Sequence, residues 1–354
     1  MDPHLEPGDP LGLHRVLPEA DPEAPVPLPQ RATRLDADPT KIFESEILVE
    51  VETLNIDAAS FRQMEEASNG ELTKVGELVL ATVAKRGKQH NPVTGSGGML
   101  VGKVKRVGGF VSERGVTVGD RIATLASLSL TPLSLKRVIA VRRESAQVDV
   151  EGTAVIFATA PFAKMPSDMN QRLALAALDV AGAAPQVKRL AKPGDTVLIL
   201  GAGGKSGLLC AVEARAAIGR QGKLIGLESH VPYAKELSSF GICDAVLEVD
   251  ARDAVAVRDR VAELTQGECA DLTISCVNVA GCEMAAICAT KDRGKVYFFA
   301  MSTSFTACAL GAEGIGADVD LFIGNGYAEG HADHTLDLLR SDNRLRSVFE
   351  RRYT

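Results

Sequence analysis

The sequence predicts an α/β protein in which a small antiparallel β-barrel domain precedes a doubly wound parallel-sheet domain. Three observations support this prediction. Short apolar segments follow residue 41, strand and helix patterns alternate after residue 168, and a glycine-rich turn joins one of those later strands to a helix. Such alternation is typical of a parallel sheet with helices on both faces. We therefore predict an N-terminal extension over 1–40, a barrel domain over 41–168 and a parallel-sheet domain over 169–354.

The N-terminal part of the chain changes character near residue 41. Nine of the 16 prolines fall in the first 40 residues, which are also acidic and poorly periodic, so we expect an extended arm that lies over the body or is partly disordered. From Glu46 to Glu52 apolar and charged residues alternate, which is typical of a half-buried strand. The segments 99–107, 120–126 and 138–141 are short and mostly bounded by glycine or charged residues, which favours a small barrel.

The second half alternates between helix and strand patterns. An alanine-rich helix is predicted to begin near Leu173, and Asp179 interrupts the apolar run that follows. Apolar runs of strand length then recur between helical stretches. The predicted strands are 196–200, 223–227, 245–249, 271–276, 295–300 and 319–323.

The glycine-rich turn predicts a dinucleotide site. The apolar strand ending at Leu200 leads directly into glycines and then a helix, whose free N–H groups and positive dipole end suit a pyrophosphate. Glu228 stands 21 residues past Gly207, at the tip of the next predicted strand, where an acid accepts hydrogen bonds from the adenosine ribose. The residues predicted to bind cofactor here are Gly201, Gly203, Gly204, Lys205, Ser206, Gly207 and Glu228.

This motif departs from the usual pattern and leaves alternatives. The glycines are spaced G-x-x-G-x-x-G at 201, 204 and 207, with Ser206 where the strict G-x-G-x-x-G pattern needs glycine. A tight strand-to-helix turn without any ligand is the other interpretation. Lys205 either approaches the cofactor phosphates or points into solvent. A phosphate-loop ATPase is excluded because Ile199 stands where that motif needs its first glycine.

Composition excludes several other function classes. The net charge of −7 and the absence of a long basic run argue against nucleic-acid binding. No apolar segment approaches 18 residues, and the N-terminus lacks the basic and apolar stretches of a signal peptide, so we expect a cytoplasmic protein without membrane contact. The seven cysteines are scattered without a C-x-x-C pair, so we expect no metal site from them. The close pair His331 and His334 has no third ligand nearby, so we expect both to be surface helix residues rather than metal ligands.

Several segments resemble the medium-chain dehydrogenase/reductase superfamily in order along the chain. Glu46–Val51 is similar to its first barrel strand, Val118–Ile122 to its Gly-Asp-Arg-Val turn, and Lys192–Val197 to the entry into its cofactor domain. The resemblance implies a GroES-like barrel followed by a Rossmann domain, and a homodimer formed through the cofactor domains.

Longer strings resemble one family within it, the L-erythro-3,5-diaminohexanoate dehydrogenases. The segments concerned are 53–57, 91–100, 127–133, 176–182, 309–314 and 324–327. This resemblance implies NAD-dependent oxidative deamination of L-erythro-3,5-diaminohexanoate to 5-amino-3-oxohexanoate and ammonia, a step of lysine fermentation. Zinc-dependent members of the superfamily carry metal ligands where this chain has Asp57, Gly97–Met99 and a residue near Ala176, which implies a zinc-independent enzyme.

A diamino acid substrate calls for acidic side chains in a cleft between the domains, where one of them could take a proton from the reacting amine. The candidate catalytic residues are Asp57, Asp179, Glu65 and Glu313. Each also has a structural interpretation. Asp57 could cap a helix starting at Ala58, Glu65 could lie on a solvated helix face, and Glu313 could be a loop acid. Asp179 needs a partner or a function because it interrupts an apolar helix.

Further predictions concern cofactor choice and rival functions. Glu228 favours NAD over NADP because a 2′-phosphate would meet its negative charge. Ser302, Thr303 and Ser304 could bond the cofactor carboxamide or ribose, or form a polar turn. Two other functions stay open: a zinc-independent quinone or enoyl reductase of the same superfamily, and an NAD-binding sensor without catalytic activity.

Overall fold

Two units, Met1–Asp168 and Met169–Thr354, divide the chain in the computed structural model. The structure describes residues 5–18, 25–91, 95–324 and 326–354. The first unit contains a six-stranded antiparallel sheet and the second a six-stranded parallel sheet. The predicted fold class is therefore confirmed.

The antiparallel sheet of the first unit is built around β1. Its strand order is β4-β5-β1-β2-β3-β6. In β1 the side chains of Ile47, Val49 and Val51 are buried while Glu50 is exposed, as the alternation of the sequence predicts. The strands are β1 (Glu46–Asn55), β2 (Met99–Val107), β3 (Arg121–Thr124), β4 (Leu133–Arg142), β5 (Gln147–Phe157) and β6 (Phe162–Lys164).

Two helices, α1 (Ala58–Ala67) and α2 (Leu72–Arg86), lie between β1 and β2 in the chain. Helix α2 buries Val75, Val79 and Val83, which recur every fourth residue and so form one apolar stripe. It ends at Gly87, whose φ of 64° is the left-handed conformation that glycine adopts without strain.

A buried ion pair holds the described part of the N-terminal extension to strand β1. Arg15 is 1% exposed and donates through Nε and Nη2 to Glu46, at 2.8 and 2.7 Å. His14 Nε2 lies 2.8 Å from the same carboxylate. Burial alone would raise the pKa of Glu46, but the hydrogen bonds from Arg15 and His14 outweigh it and lower the pKa.

The parallel sheet of the second unit has the strand order β12-β11-β10-β7-β8-β9. Strand β7 lies inside this sheet, and its residues Val197 to Leu200 are completely buried. The predicted bounds of β7 and β8 agree with the structure, whereas the other strands begin or end up to five residues away. The strands are β7 (Thr196–Leu200), β8 (Lys223–Leu227), β9 (Ala245–Leu247), β10 (Ala270–Ser275), β11 (Thr290–Phe298) and β12 (Asp320–Ile323).

Nine helices accompany this sheet among the described residues. None of the helices that the structure describes is long and apolar enough to cross a membrane. They are α3 (Gln171–Leu178), α4 (Ala183–Leu190), α5 (Lys205–Ile218), α6 (Val231–Phe240), α7 (Ala254–Thr265), α8 (Glu283–Cys288), α9 (Phe305–Ile315), α10 (His331–Ser341) and α11 (Asn343–Tyr353).

Two histidines of α10 differ from each other. The expectation that both are surface residues is wrong for His331, which is 4% exposed, because this side of α10 packs into the unit. His334 lies 2.7 Å from the buried carboxylate of Glu213. The two rings therefore have separate structural surroundings.

Candidate functional site

The glycine-rich loop turns the chain from β7 into α5. Gly201 has a φ of 74°, a conformation that favours glycine, and Gly204 is the N-cap of α5 and carries no side chain that could bond the helix end. The first bond of the helix runs from the Leu208 N–H to the Gly204 carbonyl, at 3.0 Å. The N–H groups of the three preceding residues therefore have no acceptor within the helix, and they can serve an anion.

The glycines of this loop are required for different reasons. A Cβ at Gly207 would lie 2.1 Å from the Gly201 carbonyl oxygen, and one at Gly203 would lie 2.8 Å from Tyr233 Cβ. A Cβ at Gly204 would have only the Gly201 oxygen nearby, at 3.5 Å. Protein packing thus requires glycine at 203 as well as at 201 and 207, whereas the space beside Gly204 is open to a ligand.

Glu228 lies directly after β8 and is fixed in orientation by backbone groups. Its Oε2 accepts from the Gly203 N–H at 3.2 Å, and its Oε1 accepts from the His230 N–H at 2.9 Å. The residue is 8% exposed. Each carboxylate oxygen has a second lone pair, so Glu228 can still accept a hydroxyl hydrogen while it holds the loop.

Asp179 and Lys205 form an ion pair beside this loop. Asp179 follows the last residue of α3, so its expected position within a continuous apolar helix is wrong: the helix ends at Leu178. Lys205 Nζ lies 2.5 Å from Asp179 Oδ2, and the two side chains are 31% and 38% exposed. The structure thus gives Asp179 a partner and directs Lys205 toward a carboxylate. A catalytic role for Asp179 stays a prediction.

Asp57 is the N-cap of α1. Its Oδ1 accepts from the Ser60 N–H at 2.9 Å, and its Oδ2 accepts from the Ser60 hydroxyl at 2.6 Å. The amide nitrogen of Asn91 donates to Ser60 Oγ at 2.8 Å and to Gln63 Oε1 at 2.9 Å. The capping interpretation of Asp57 is thereby confirmed. Its charge is part of a polar network, and a substrate-binding role remains a prediction.

The loop before β2 is tightly packed. It contains Gly97 and Gly98, at positions where the sequence resemblance implies metal ligands in zinc-dependent members of the superfamily. A Cβ at Gly97 would lie 2.3 Å from the Gln89 carbonyl oxygen, and one at Gly98 would lie 2.2 Å from the Asn55 carbonyl oxygen. Larger side chains cannot stand at these positions without moving backbone. Within the described parts of the chain, no group of three histidine, cysteine or carboxylate side chains is placed to hold a metal ion.

The other two candidate carboxylates, Glu65 and Glu313, lie on helices α1 and α9. Glu65 on α1 accepts from Arg143 Nε at 2.6 Å and has a side chain that is 24% exposed. Glu313 is exposed and belongs to α9, so its interpretation as a loop acid is wrong: the helix continues to Ile315.

The hydroxyl residues after β11 have local partners. Ser302 Oγ donates to the Val277 carbonyl at 3.0 Å. Ser304 is the N-cap of α9: its Oγ accepts from the Ala307 N–H, and its own N–H donates to Glu283. The Thr303 N–H donates to the Ala300 carbonyl. A polar turn accounts for these contacts, and a role in cofactor binding stays a prediction.

Sequence reasoning missed a further set of residues at the loop. Tyr233 of α6 closes the side of Gly203, and Arg352 near the end of α11 donates to the Gly203 carbonyl. Burial raises the pKa of the neighbouring Tyr353, against the lowering effect of the Arg352 guanidinium. Because 149 residues separate Arg352 from Gly203, no local pattern could have indicated this contact.

Comparison with known proteins decides the family. A protein of Acetoanaerobium sticklandii named L-erythro-3,5-diaminohexanoate dehydrogenase is 45% identical over 343 residues, which are 97% of this chain and 98% of the relative. The chain belongs to the L-erythro-3,5-diaminohexanoate dehydrogenase family. A Fusobacterium nucleatum protein of the same name is 43% identical over 350 residues, covering 99% of this chain and all of the relative. The profile of the L-erythro-3,5-diaminohexanoate dehydrogenase N-terminal domain matches residues 15–166.

Solved structures at low identity share the fold. A mycobacterial protein crystallised with NADPH has a TM-score of 0.54 at 18% identity, covering 88% of this chain and 90% of its own. An Escherichia coli quinone oxidoreductase, also complexed with NADPH, has a TM-score of 0.51 at 19% identity, covering 84% and 79%. These structures show the fold alone. The two relatives at 43–45% identity confirm the family that the sequence resemblance predicts, and membership in that family supports a dehydrogenase role.

Proposed function

We propose that this chain catalyses the NAD-dependent oxidative deamination of L-erythro-3,5-diaminohexanoate to 5-amino-3-oxohexanoate and ammonia. The observation that carries the proposal is the 45% identity over nearly the whole chain to a relative with that dehydrogenase name. The glycine-rich loop supplies an independent physical argument, because it offers free N–H groups at a helix start. The reaction belongs to lysine degradation.

The residues at the loop fit a dinucleotide. The open space beside Gly204 admits a pyrophosphate to the start of α5, where the helix dipole favours negative charge. We propose that Glu228 accepts hydrogen bonds from the ribose hydroxyls; its orientation by two backbone N–H groups supports this role. Its negative charge supports NAD rather than NADP, because a 2′-phosphate would be repelled. When bound, NAD accepts the hydride that leaves carbon 3 of the substrate.

The substrate chemistry sets the tasks for the protein. The amine on carbon 3 must lose a proton so that its lone pair can form a C=N bond as the C–H bond breaks. Water then adds to the iminium carbon, and the carbinolamine releases ammonia. One ammonium substrate, one NAD⁺ and one water thus give one ketone, one ammonium ion, one NADH and one proton. The protein must supply a proton acceptor and hold the substrate in place.

We propose four carboxylates for these tasks and assign specific roles to two of them. Among the described residues, Asp179 is the candidate with a direct link to the cofactor loop, through Lys205, so we propose it as the proton acceptor. Asp57 accepts two hydrogen bonds from Ser60, which fix the orientation of its carboxylate, and we propose it as a binding group for a substrate ammonium. Glu65 and Glu313 are secondary candidates.

We further propose that the reaction is independent of zinc. The supporting observations are residue types and packing. Gly97 and Gly98 leave no room for ligand side chains, and Asp57 is engaged by Ser60. A measurement of zinc in the purified active protein by mass spectrometry tests this. Stoichiometric zinc that is needed for turnover would contradict it.

A homodimer formed through the second unit is proposed as well. Strand β12 lies at the edge of the parallel sheet, where its backbone can pair with another strand. Phe322 and Ile323 on this strand are exposed, as is Phe305 at the start of α9. Light scattering after size exclusion should give twice the chain mass, and Ile323→Lys should give a monomer.

The experiment that tests the function measures NADH formation with several substrates. The protein is incubated with NAD and L-erythro-3,5-diaminohexanoate, and separately with alcohols; reduction of quinones by NADH is followed in parallel. The proposal predicts NADH and ammonia in equal amounts with the diamino acid and no turnover with the others. Quinone reduction would favour a reductase, and tight NAD binding without turnover would favour a sensor.

A further inference from the structure

The last helix of the chain contacts the glycine-rich loop. Arg352 of α11 has a side chain that is only 9% exposed, and its Nη1 donates to the Gly203 carbonyl at 2.5 Å. Its Nη2 forms an ion pair with Glu236, and the guanidinium carbon lies 3.9 Å from the centroid of the Tyr233 ring. The charge of Arg352 is therefore paired, hydrogen-bonded and stacked in this position.

Both polar groups of the Gly203 residue are held as a result. Glu228 accepts from its N–H, and Arg352 donates to its carbonyl. Tyr233 and Glu228 also fill the space where a side chain of residue 203 would begin. A Cβ added there would lie 2.8 Å from Tyr233 Cβ and 2.9 Å from Glu228 Oε2. Rotation of the peptide groups around Gly203 would break at least one charge-assisted hydrogen bond. The loop segment that precedes α5 is thus fixed by side chains of helices α6 and α11 and by Glu228 after β8.

A second contact reaches the first residue of α5. Lys205 Nζ lies 5.7 Å from the centroid of the Tyr353 ring, and that ring packs edge-on against Phe349, 5.3 Å away. Arg172 of α3 donates to the carbonyl of Thr354 at 3.0 Å, which holds the end of the chain. The end of α11 therefore lies along the loop and the start of α5.

We propose that Arg352 and Tyr353, here called the C-terminal clamp, are positioning residues of the dinucleotide site. By holding the Gly203 carbonyl and lying against Lys205, they keep the N–H groups at the start of α5 in the orientation that a pyrophosphate needs. Binding then costs little ordering of the loop, which raises affinity. The proposal rests on the proposed function, since it concerns how the same site binds its dinucleotide.

Arg351 provides a matched control within the same helix turn. It carries the same charge and also pairs with Glu236, but its side chain is 60% exposed. Arg351→Met and Arg352→Met remove the same charge from adjacent positions. They differ in the contacts with Gly203 and Tyr233. A general electrostatic effect of the helix end on an anionic ligand would affect both variants alike.

The test combines three measurements on the full-length protein. Calorimetric titration gives the dissociation constant for NADH, steady-state kinetics separates KM for NAD from kcat, and hydrogen–deuterium exchange follows residues 203–208 without cofactor. For Arg352→Met we expect a rise of about tenfold in the dissociation constant and in KM, faster exchange over 203–208, and kcat within about twofold. For Arg351→Met we expect all three within about twofold of wild type.

Equal effects of the two variants, or unchanged exchange in Arg352→Met, would overturn the proposal. If Arg352→Met does not fold, Arg352→Lys replaces it, because lysine keeps the positive charge beside Glu236 but lacks the planar fork that reaches Glu236 and the Gly203 carbonyl together. Failure of the proposed function is distinguishable: wild type would then show no binding of NADH and no turnover. The exchange measurement needs no cofactor and still decides whether the clamp orders the loop.

Discussion

Replacement of Gly204 by alanine separates ligand binding from protein packing. The nearest neighbour of the added Cβ is the Gly201 carbonyl oxygen at 3.5 Å, an ordinary contact, and the φ of −78° at Gly204 suits alanine. Alanine is a poorer N-cap than glycine by up to about 1 kcal/mol. The free energy of unfolding without cofactor should therefore change by no more than about 1 kcal/mol.

The same methyl group should weaken cofactor binding. It would stand at the start of α5, where a pyrophosphate oxygen must approach the backbone to about 3 Å. Loss of one charge-assisted hydrogen bond costs about 1.5–3 kcal/mol. This free energy corresponds to a rise of roughly 10- to 100-fold in the dissociation constant for NADH. Gly204→Ala should thus be a folded protein that binds its cofactor weakly.

Gly207→Ala is the contrasting variant. Its Cβ would lie 2.1 Å from the Gly201 oxygen and 2.7 Å from Ala202 Cα, and both are backbone atoms that cannot swing away. We expect a loss of about 1–3 kcal/mol in the free energy of unfolding even without cofactor. The assays are urea unfolding and calorimetric titration with NADH. A folded Gly204→Ala variant that binds NADH as tightly as wild type would show that no cofactor oxygen approaches the backbone at Gly204.

Three further predictions concern individual carboxylates. Asp179→Asn should lower kcat about 100-fold with little change in NADH affinity, whereas Lys205→Met should weaken NADH binding and spare kcat; identical profiles in steady-state kinetics would make Asp179 only the partner of the lysine. Asp57→Asn keeps a good helix cap, so unfolding should be unchanged while KM for the diamino acid rises at least about tenfold; an unchanged KM would remove its proposed role. Glu46→Gln should destabilise the protein by about 3–5 kcal/mol at pH 7, because Arg15 is left buried without its partner. Since the folded pKa of Glu46 is lowered from 4.5, its contribution is complete above that pH and is lost as pH falls through the lowered value. Urea unfolding from pH 7 to pH 3 should show that the difference in free energy of unfolding between wild type and Glu46→Gln becomes smaller only below about pH 4.5. A difference that does not depend on pH would contradict this.

Local sequence patterns predict the strands and helix ends that are set by neighbouring apolar and turn residues. The predicted bounds of strands β7 and β8 are correct because each strand is mostly apolar and has clear turn residues on both sides. Helix α5 ends at Ile218 because Gly219 adopts a φ of 68°. Strand β5 was not predicted, since Gly152 interrupts its alternation. That glycine is needed because a Cβ there would lie 2.3 Å from the Ser134 carbonyl oxygen of the neighbouring strand.

The candidate site was only partly predictable, because some of its contacts lie within one chain segment and others join residues that are distant in the sequence. The glycine-rich loop and Glu228 lie within one strand–helix–strand segment, so spacing along the chain identified them. The ion pair between Asp179 and Lys205 and the contact between Arg352 and Gly203 join residues that are 26 and 149 positions apart. Such contacts arise from tertiary packing of helices, which no periodicity in the sequence encodes.

The stoichiometry of the reaction with the purified protein tests most directly whether the protein deaminates the diamino acid with NAD as oxidant. L-erythro-3,5-diaminohexanoate and NAD are supplied, NADH is followed by its absorbance, and ammonia and the keto acid are quantified in the same sample. We expect one NADH and one ammonia for each molecule of substrate consumed, with NADP a far poorer oxidant. No NADH formation from this substrate, or faster turnover with NADP than with NAD, would contradict it.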